Sequence, residues 1–237
     1  MSKKGKNKIK YACSSQKIRF DIIIYLYFEV IFMDKIIVNV EQMRKSDAYT
    51  IEKFVPSKEL MYRAANGVFD SFKGWENKKI AIIVGGGNNG GDGYALAGIL
   101  KKNNIDSTII KVSVKMSEDG NYYSDMADKL GVKAEMFTEN TDLSSYEVIV
   151  DCILGTGFTG EVRGLAKDAI EAINKCSAYV ISVDINSGMN GDTGEAELAV
   201  KSDLTVSIGY YKQGLFTDAA KEYIKELVNV DIGIVLI

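Results

Sequence analysis

Beyond Met33 the apolar positions fall into two regimes. Up to Phe72 they recur at helical spacing: Val40, Met43, Ala48, Ile51 and Phe54 form one stripe, and Leu60, Met61, Ala64, Ala65, Val68, Phe69 and Phe72 form a second. Pro56 stops the first helix, and Ser57 is placed to cap the next. From Lys79 the pattern changes. Short apolar runs at Ile80–Val84, 108–114, Val148–Cys152, Tyr179–Val183 and 204–208 alternate with helical stretches at 94–102, near Gly131, at 166–176 and at 217–228. Short buried strands separated by helices predict an α/β fold, a Rossmann-like doubly wound, mostly parallel sheet in three layers with two leading helices. The elements follow too closely for a second domain, so residues 34–237 read as one.

Residues 1–33 are different. Five lysines stand among the first ten positions, and an apolar run from Ile22 to Phe28 follows, flanked by Asp21 and Glu29. This imitates a secretory signal, but no small-residue cleavage site follows, and the run is shorter than the roughly 20 residues a membrane span needs. The segment reads as an upstream start or a loosely attached arm, with an interfacial anchor or dimer arm as the other reading. Composition then narrows the chemistry. The 237 residues carry 29 basic and 32 acidic side chains, a net charge of −3, so no basic field favours nucleic acid or an anionic membrane. There is no histidine, which removes every histidine-based triad, zinc site or proton shuttle. Proton transfer is left to carboxylates, Lys or Tyr. Three cysteines without a paired spacing suit a reducing, cytoplasmic compartment.

The glycines gather in three loops, each after a strand. The first, Gly85-Gly86-Gly87-Asn88-Asn89-Gly90-Gly91-Asp92-Gly93, precedes a helix and contains a formal GxGxxG, a backbone that can approach a phosphate. A dehydrogenase would also place an acid at the end of the next strand, but Lys111-Val112-Ser113-Val114-Lys115 has none. The second loop runs from Asp151 through Gly155-Thr156-Gly157-Phe158-Thr159-Gly160-Glu161 to Arg163, which either meets a phosphate or makes a surface ion pair. The third is Asp184-Ile185-Asn186-Ser187-Gly188 and onward to Gly194. Asp151 and Asp184 end strands, where a carboxylate needs a cation or several donors. Ligands of open α/β sheets bind beyond these strand ends, so the loops are expected to border one cleft and to crowd Asp92, Asp151 and Asp184 together, with Asn89 and Ser187 as neutral oxygens. Such an oxygen-rich set selects a hard cation, a monovalent ion or Mg²⁺. Tyr210-Tyr211-Lys212 reads as loop packing, and Cys152 as a buried apolar residue.

These three ordered motifs, with helix segments 41–52 and 60–68, resemble the NAD(P)H-hydrate epimerases, the YjeF amino-terminal family, over roughly Met33 to the end. The resemblance implies an isomerase of cofactor repair. Its substrates are NADHX and NADPHX, nicotinamide rings to which water has added, whose R and S forms it interconverts for a stereospecific ATP- or ADP-dependent dehydratase. It implies that Asn88, Asn89, Gly90, Gly91 and Asp92 contact the dinucleotide. Gly155, Thr156, Gly157, Phe158, Thr159, Gly160 and Glu161 would cradle it, and Asp184 would touch it near the reacting ring. It implies one potassium ion (K+) held by Asn89, Asp151 and Ser187. Asn186 stands where many relatives have Pro, and segment 60–65 lacks their Glu and Gly.

Epimerisation at a carbon bearing OH and a ring nitrogen needs no redox step. Water leaves and returns, or the ring opens and closes, and either route needs a proton shuttle. Asp184 is the expected acid–base group. The competing reading is a catalytically silent nucleotide-binding or dimerisation module of the same fold; intact Asn89, Asp151, Asp184 and Ser187 weigh against it. A nicotinamide oxidoreductase is the third reading. The chain leaves no room for a kinase-like dehydratase, so either a separate one or a truncated chain is expected, and the leading helices offer a homodimer face.

Overall fold

The computed structural model describes residues 35–237, so the expectations for 1–33 lie outside the described residues. Residues 37–237 form one compact unit. Strand β1 (Ile37–Val38) leads into α1 (Val40–Lys53) and α2 (Ser57–Ser71). The alternation then begins with β2 (Ile80–Val84), α3 (Asn88–Lys102), β3 (Ser107–Lys111), α4 (Glu118–Lys129) and β4 (Lys133–Met136). It continues with β5 (Val148–Cys152), α5 (Gly164–Lys175), β6 (Tyr179–Val183), β7 (Ser202–Ile208), β8 (Tyr211–Lys212), two 3-10 turns and β9 (Ile224–Val230).

Among the described residues seven strands pair in one sheet, all parallel, in the order β4-β3-β2-β5-β6-β7-β9. Every residue of β2 and β5 is buried, because helices cover both faces. Ile80, Ile82 and Val84 turn to the layer of α2, α3 and α4, whereas Ala81 and Ile83 turn to α5. Each buried Ile or Val of these strands contributes about 1.5–3 kcal/mol relative to exposure. The chain order reverses between β2 and β5, and that switch point is where the first two glycine loops leave the sheet. Gly85 bridges it: its N–H donates to Cys152 O at 3.0 Å, and a Cβ at this position would collide with the Ile153 carbonyl.

Several expectations are corrected. The helix expected at 217–228 is instead a 3-10 turn (Ala219–Glu222) followed by β9. Good helix formers such as Ala, Lys and Glu fill the segment, but the exposed edge of β7 captures it by pairing Leu204 with Glu226 through Ile208 with Val230. Strand β4 was not foreseen, since a half-exposed Lys-Ala-Glu-Met edge has no apolar signature. Helix α1 ends at Lys53, and Pro56, not Ser57, stands at the N-cap of α2. The stripe expected on α1 is also rotated: Ile51 and Phe54 are exposed, while Met43, Ser46 and Thr50 are buried. Ser46 and Thr50 turn inward because Ile237 N–H (3.2 Å) and Val235 N–H (2.9 Å) donate to their hydroxyls.

Candidate functional site

The three loops border a cavity of about 560 Å³ above the switch point. Its floor is Gly86, Gly87, Asn88, Asn89 and Asp92 from the start of α3, with Ile153–Phe158 after β5 and Asp184 after β6. Helix α3 begins at Gly87 with no side-chain cap, so its first amides are left for a ligand oxygen. The wall facing the loops comes from α1 and α2, including Met43, Arg44, Asp47, Leu60 and Met61.

Asp184 sits at φ 67°, in the left-handed region that side chains other than Gly, Asn and Asp avoid. Its N–H is held by Val206 O at 2.8 Å, and Ile185 N–H closes a tight turn onto Val183 O at 2.8 Å. The turned backbone delivers the carboxylate to Lys212, whose ammonium pairs with it and also donates to Ile208 O at 2.7 Å. The Lys212 side chain is only 1% exposed and that of Asp184 17%. Lys212 was read in the sequence as packing, and that reading is corrected. A lysine on a two-residue strand has no periodicity to mark it, and only the β1–β8 pairing, Val38 opposite Lys212, places it. Asp92 and Asp47 complete the group. Burial pushes the Asp92 carboxyl well above the usual range, and Asp184 adds to this while Lys212 opposes it. Burial pushes Asp47 up to about 6, with the same two neighbours acting in the same senses.

Asp151 is not part of this crowd, contrary to expectation. It is fully buried and its oxygens are consumed by donors: Ser182 Oγ (2.9 Å), Ser187 N–H (2.9 Å), Ser187 Oγ (2.5 Å) and Ile153 N–H (3.2 Å). Asp47, on α1, takes its place beside Asp92 and Asp184. Among the described residues no group of three or more acidic or cysteine side chains is arranged to hold a metal. An oxygen set with a single carboxylate does converge, however. Asn89 Nδ2 donates to Leu154 O at 2.9 Å, Ser187 Oγ gives its proton to Asp151 and lies 3.1 Å from Leu154 O, and Asn89 Oδ1 is buried with no partner. An orphaned amide oxygen beside a hydroxyl and a carboxylate fits a hard monovalent cation, and it offers too little charge for a divalent one.

The other sequence-selected residues divide. Gly155, Thr156, Gly157 and Phe158 line the cavity with Asn88, Asn89, Asp92 and Asp184, whereas Gly90 and Gly91 lie buried in α3. Thr159, Gly160 and Glu161 line a neighbouring cavity of about 720 Å³ that shares Phe158. Arg163 pairs with Glu161 at 2.8 Å on the surface. Cys152 is buried, and burial with Asp151 nearby pushes its thiol well up, so it is inert. Asn186 does more than suit a turn. Its Nδ2, with two hydrogens to give, lies within hydrogen-bond distance of Val200 O (2.8 Å), Ser202 Oγ (3.0 Å) and Tyr223 O (3.0 Å), and its Oδ1 accepts from Thr205 Oγ1 (2.7 Å).

Known proteins are similar to this chain. The chain is 35% identical over 210 residues to a protein of Oenococcus oeni named NAD(P)H-hydrate epimerase, covering 85% of this chain and 99% of that one. It is 34% identical over 198 residues to a Coxiella burnetii protein named bifunctional NAD(P)H-hydrate repair enzyme, covering 81% of this chain and 40% of that one. The crystal structure of yeast ynu0 shares the fold with a TM-score of 0.70 at 20% identity, over 82% of this chain and 87% of that one. Residues 57–214 match the family described as YjeF-related protein N-terminus, and the chain belongs to that family.

Proposed function

We propose that this chain interconverts the R and S epimers of hydrated NADH and NADPH. One observation carries the reading: a carboxylate on a strained turn, paired with a buried lysine, opens into a cavity floored by an uncapped helix start. The dinucleotide's phosphates would meet the α3 amides and the 155–158 loop, with Arg44 at the rim supplying positive charge. The hydrated ring would then lie against Asp184. There the carboxylate takes or gives the proton as the C–O bond at the hydrated carbon breaks or forms, and Lys212 holds it in place and balances its charge. The apolar side chains of Met43, Leu60 and Met61 would limit water around the ring.

Asn89, Asp151 and Ser187 would hold potassium, which supplies fixed positive charge and locks the three loops in register. The expected cellular setting is the cytoplasm. Among the described residues no helix is long and apolar enough to cross a membrane. The dehydratase partner would act on one epimer of the product mixture, and a homodimer through the leading helices is the proposed assembly. Purified NADHX epimers followed by NMR or chromatography test the activity. Equilibration well above the spontaneous rate supports it, and rates equal to the protein-free control reject it. Asp184→Asn is expected to abolish turnover while retaining dinucleotide binding.

A further inference from the structure

Epimerisation by loss and return of water needs two proton transfers. The ring hydroxyl must gain a proton to leave as water, and the water that adds to the opposite face must lose one. Asp184 accounts for one of them. The structure offers a second carboxylate, carried by α1, that lines the same cavity. Asp47 lies on α1, lines the cavity with Asp184 and Lys212, and among the described residues makes no hydrogen bond or ion pair of its own. A half-buried carboxyl without a partner is costly, yet the helix that carries it is tied down around it. Asn39 caps α1 by accepting from Gln42 N–H at 2.7 Å, and Asp192 from the third loop accepts from Val40 N–H at 2.8 Å. Ser46 and Thr50, flanking Asp47, hold the 235–237 segment. The polar groups around Asp47 are thus satisfied while Asp47 itself is left open to the cavity.

We propose that Asp47 is the second proton-transfer residue, serving as acid on the helix side of the ring while Asp184 serves as base on the loop side. This rests on the epimerase reading above. Asp47 gives its proton to the ring hydroxyl; the C–O bond breaks, its electron pair leaves with water, and the ring nitrogen lone pair forms an iminium. Water then adds at the other face, its oxygen supplying the new bond's electron pair, and Asp184 takes the released proton. The opposite epimer runs the sequence backward with the roles exchanged, or the proton returns to Asp47 through solvent. No electrons are gained or lost. Asp92 is the poorer choice, because burial raises its carboxyl well above the usual range and so favours keeping its proton. Asp47 titrates close enough to neutral pH to give and take one. The charged groups facing it are Asp184 and Lys212 from the sheet side, Asp92 from α3, and Arg44 and Asp119 at the cavity rim.

The test uses the full chain with potassium present, subtracting the spontaneous rate at each pH. Asp47→Asn is expected to lower kcat by about 100-fold or more, with dinucleotide binding changed by less than about threefold. The wild-type pH–rate profile should fall on its basic side as Asp47 loses its proton; this limb should vanish in Asp47→Asn and persist in Asp47→Glu, which keeps partial turnover. A merely structural role would leave the limb in place. Turnover of Asp47→Asn within about threefold of wild type, or an unchanged limb, overturns this proposal while leaving the epimerase reading intact. A wild-type chain that does not exceed the spontaneous rate overturns both.

Discussion

Lys212→Met removes a cation that is 1% exposed from a pair whose other member is 17% exposed. Asp184 is then left beside Asp47 and Asp92 with no buried cation to balance it. Breaking a buried pair from one side costs about 3–5 kcal/mol, because the abandoned charge keeps its desolvation penalty. Domains of this kind hold only about 5–15 kcal/mol in total, so the variant should lose a large share of its stability. At roughly 2–4 °C per kcal/mol for a chain of this size, Tm should fall by about 6–20 °C. Asp184→Asn in the same background removes the orphaned charge, so the double variant should recover about 2 kcal/mol or more relative to Lys212→Met alone. Urea unfolding at fixed potassium and pH, for the wild type and all three variants, gives the coupling directly. A Lys212→Met cost below about 1 kcal/mol, or a double variant no more stable than Lys212→Met alone, would refute the view that this pair is the electrostatic frame of the site.

Asp47 has its carboxyl raised from 3.8 to about 6, a difference worth roughly 3 kcal/mol. Because the folded value is raised, its contribution is complete below pH 3.8 and is lost as pH rises through about 6. Asp47→Asn should therefore be more stable than wild type at pH 8 and equal to it near pH 3.5; scanning calorimetry at both pH values checks this, and a constant difference would contradict it. Potassium at 100 times its dissociation constant should add about 2.7 kcal/mol to wild-type stability, with lithium or choline giving none and Ser187→Ala abolishing the response; equal melting temperatures in all three salts would remove the ion from the site. Gly85→Ala should cost about 1–3 kcal/mol by forcing β2 away from the Ile153 carbonyl, as measured by urea unfolding; a neutral result would mean the switch point is pliant. In H₂¹⁸O, each epimerisation by water loss should place one labelled oxygen on the ring, seen by mass spectrometry, and label-free product would favour ring opening.

The sheet was readable where strands are buried on both faces. Ile80–Val84, Val148–Cys152 and Tyr179–Val183 end where their apolar runs end, because such strands need continuous apolar residues. β4 and β9 escaped because edge strands are defined by the neighbour they pair with rather than by their own composition. The loops at the switch point were legible for a similar reason: tight backbone there demands glycine, and a carboxylate closing an apolar strand is conspicuous. Lys212 and Asp47 were not legible. One lies on a two-residue strand and the other on a helix whose buried face is polar, Ser46 and Thr50, so neither the period nor the residue type pointed inward. Asp151 was legible as a carboxylate that needs a cation or several donors, and four donors from the protein meet that need.

Helix α1 is gripped by residues far along the chain, at separations of 152, 185 and 191 positions through Asp192, Val235 and Ile237. During synthesis α1 leaves the ribosome long before any of these partners exists, so Asp47 waits, unanchored, for most of translation. Contacts of such long range are late and slow to form. Nascent chains stalled before residue 192 should therefore contain much of the central sheet yet lack the pocket that would engage a dinucleotide.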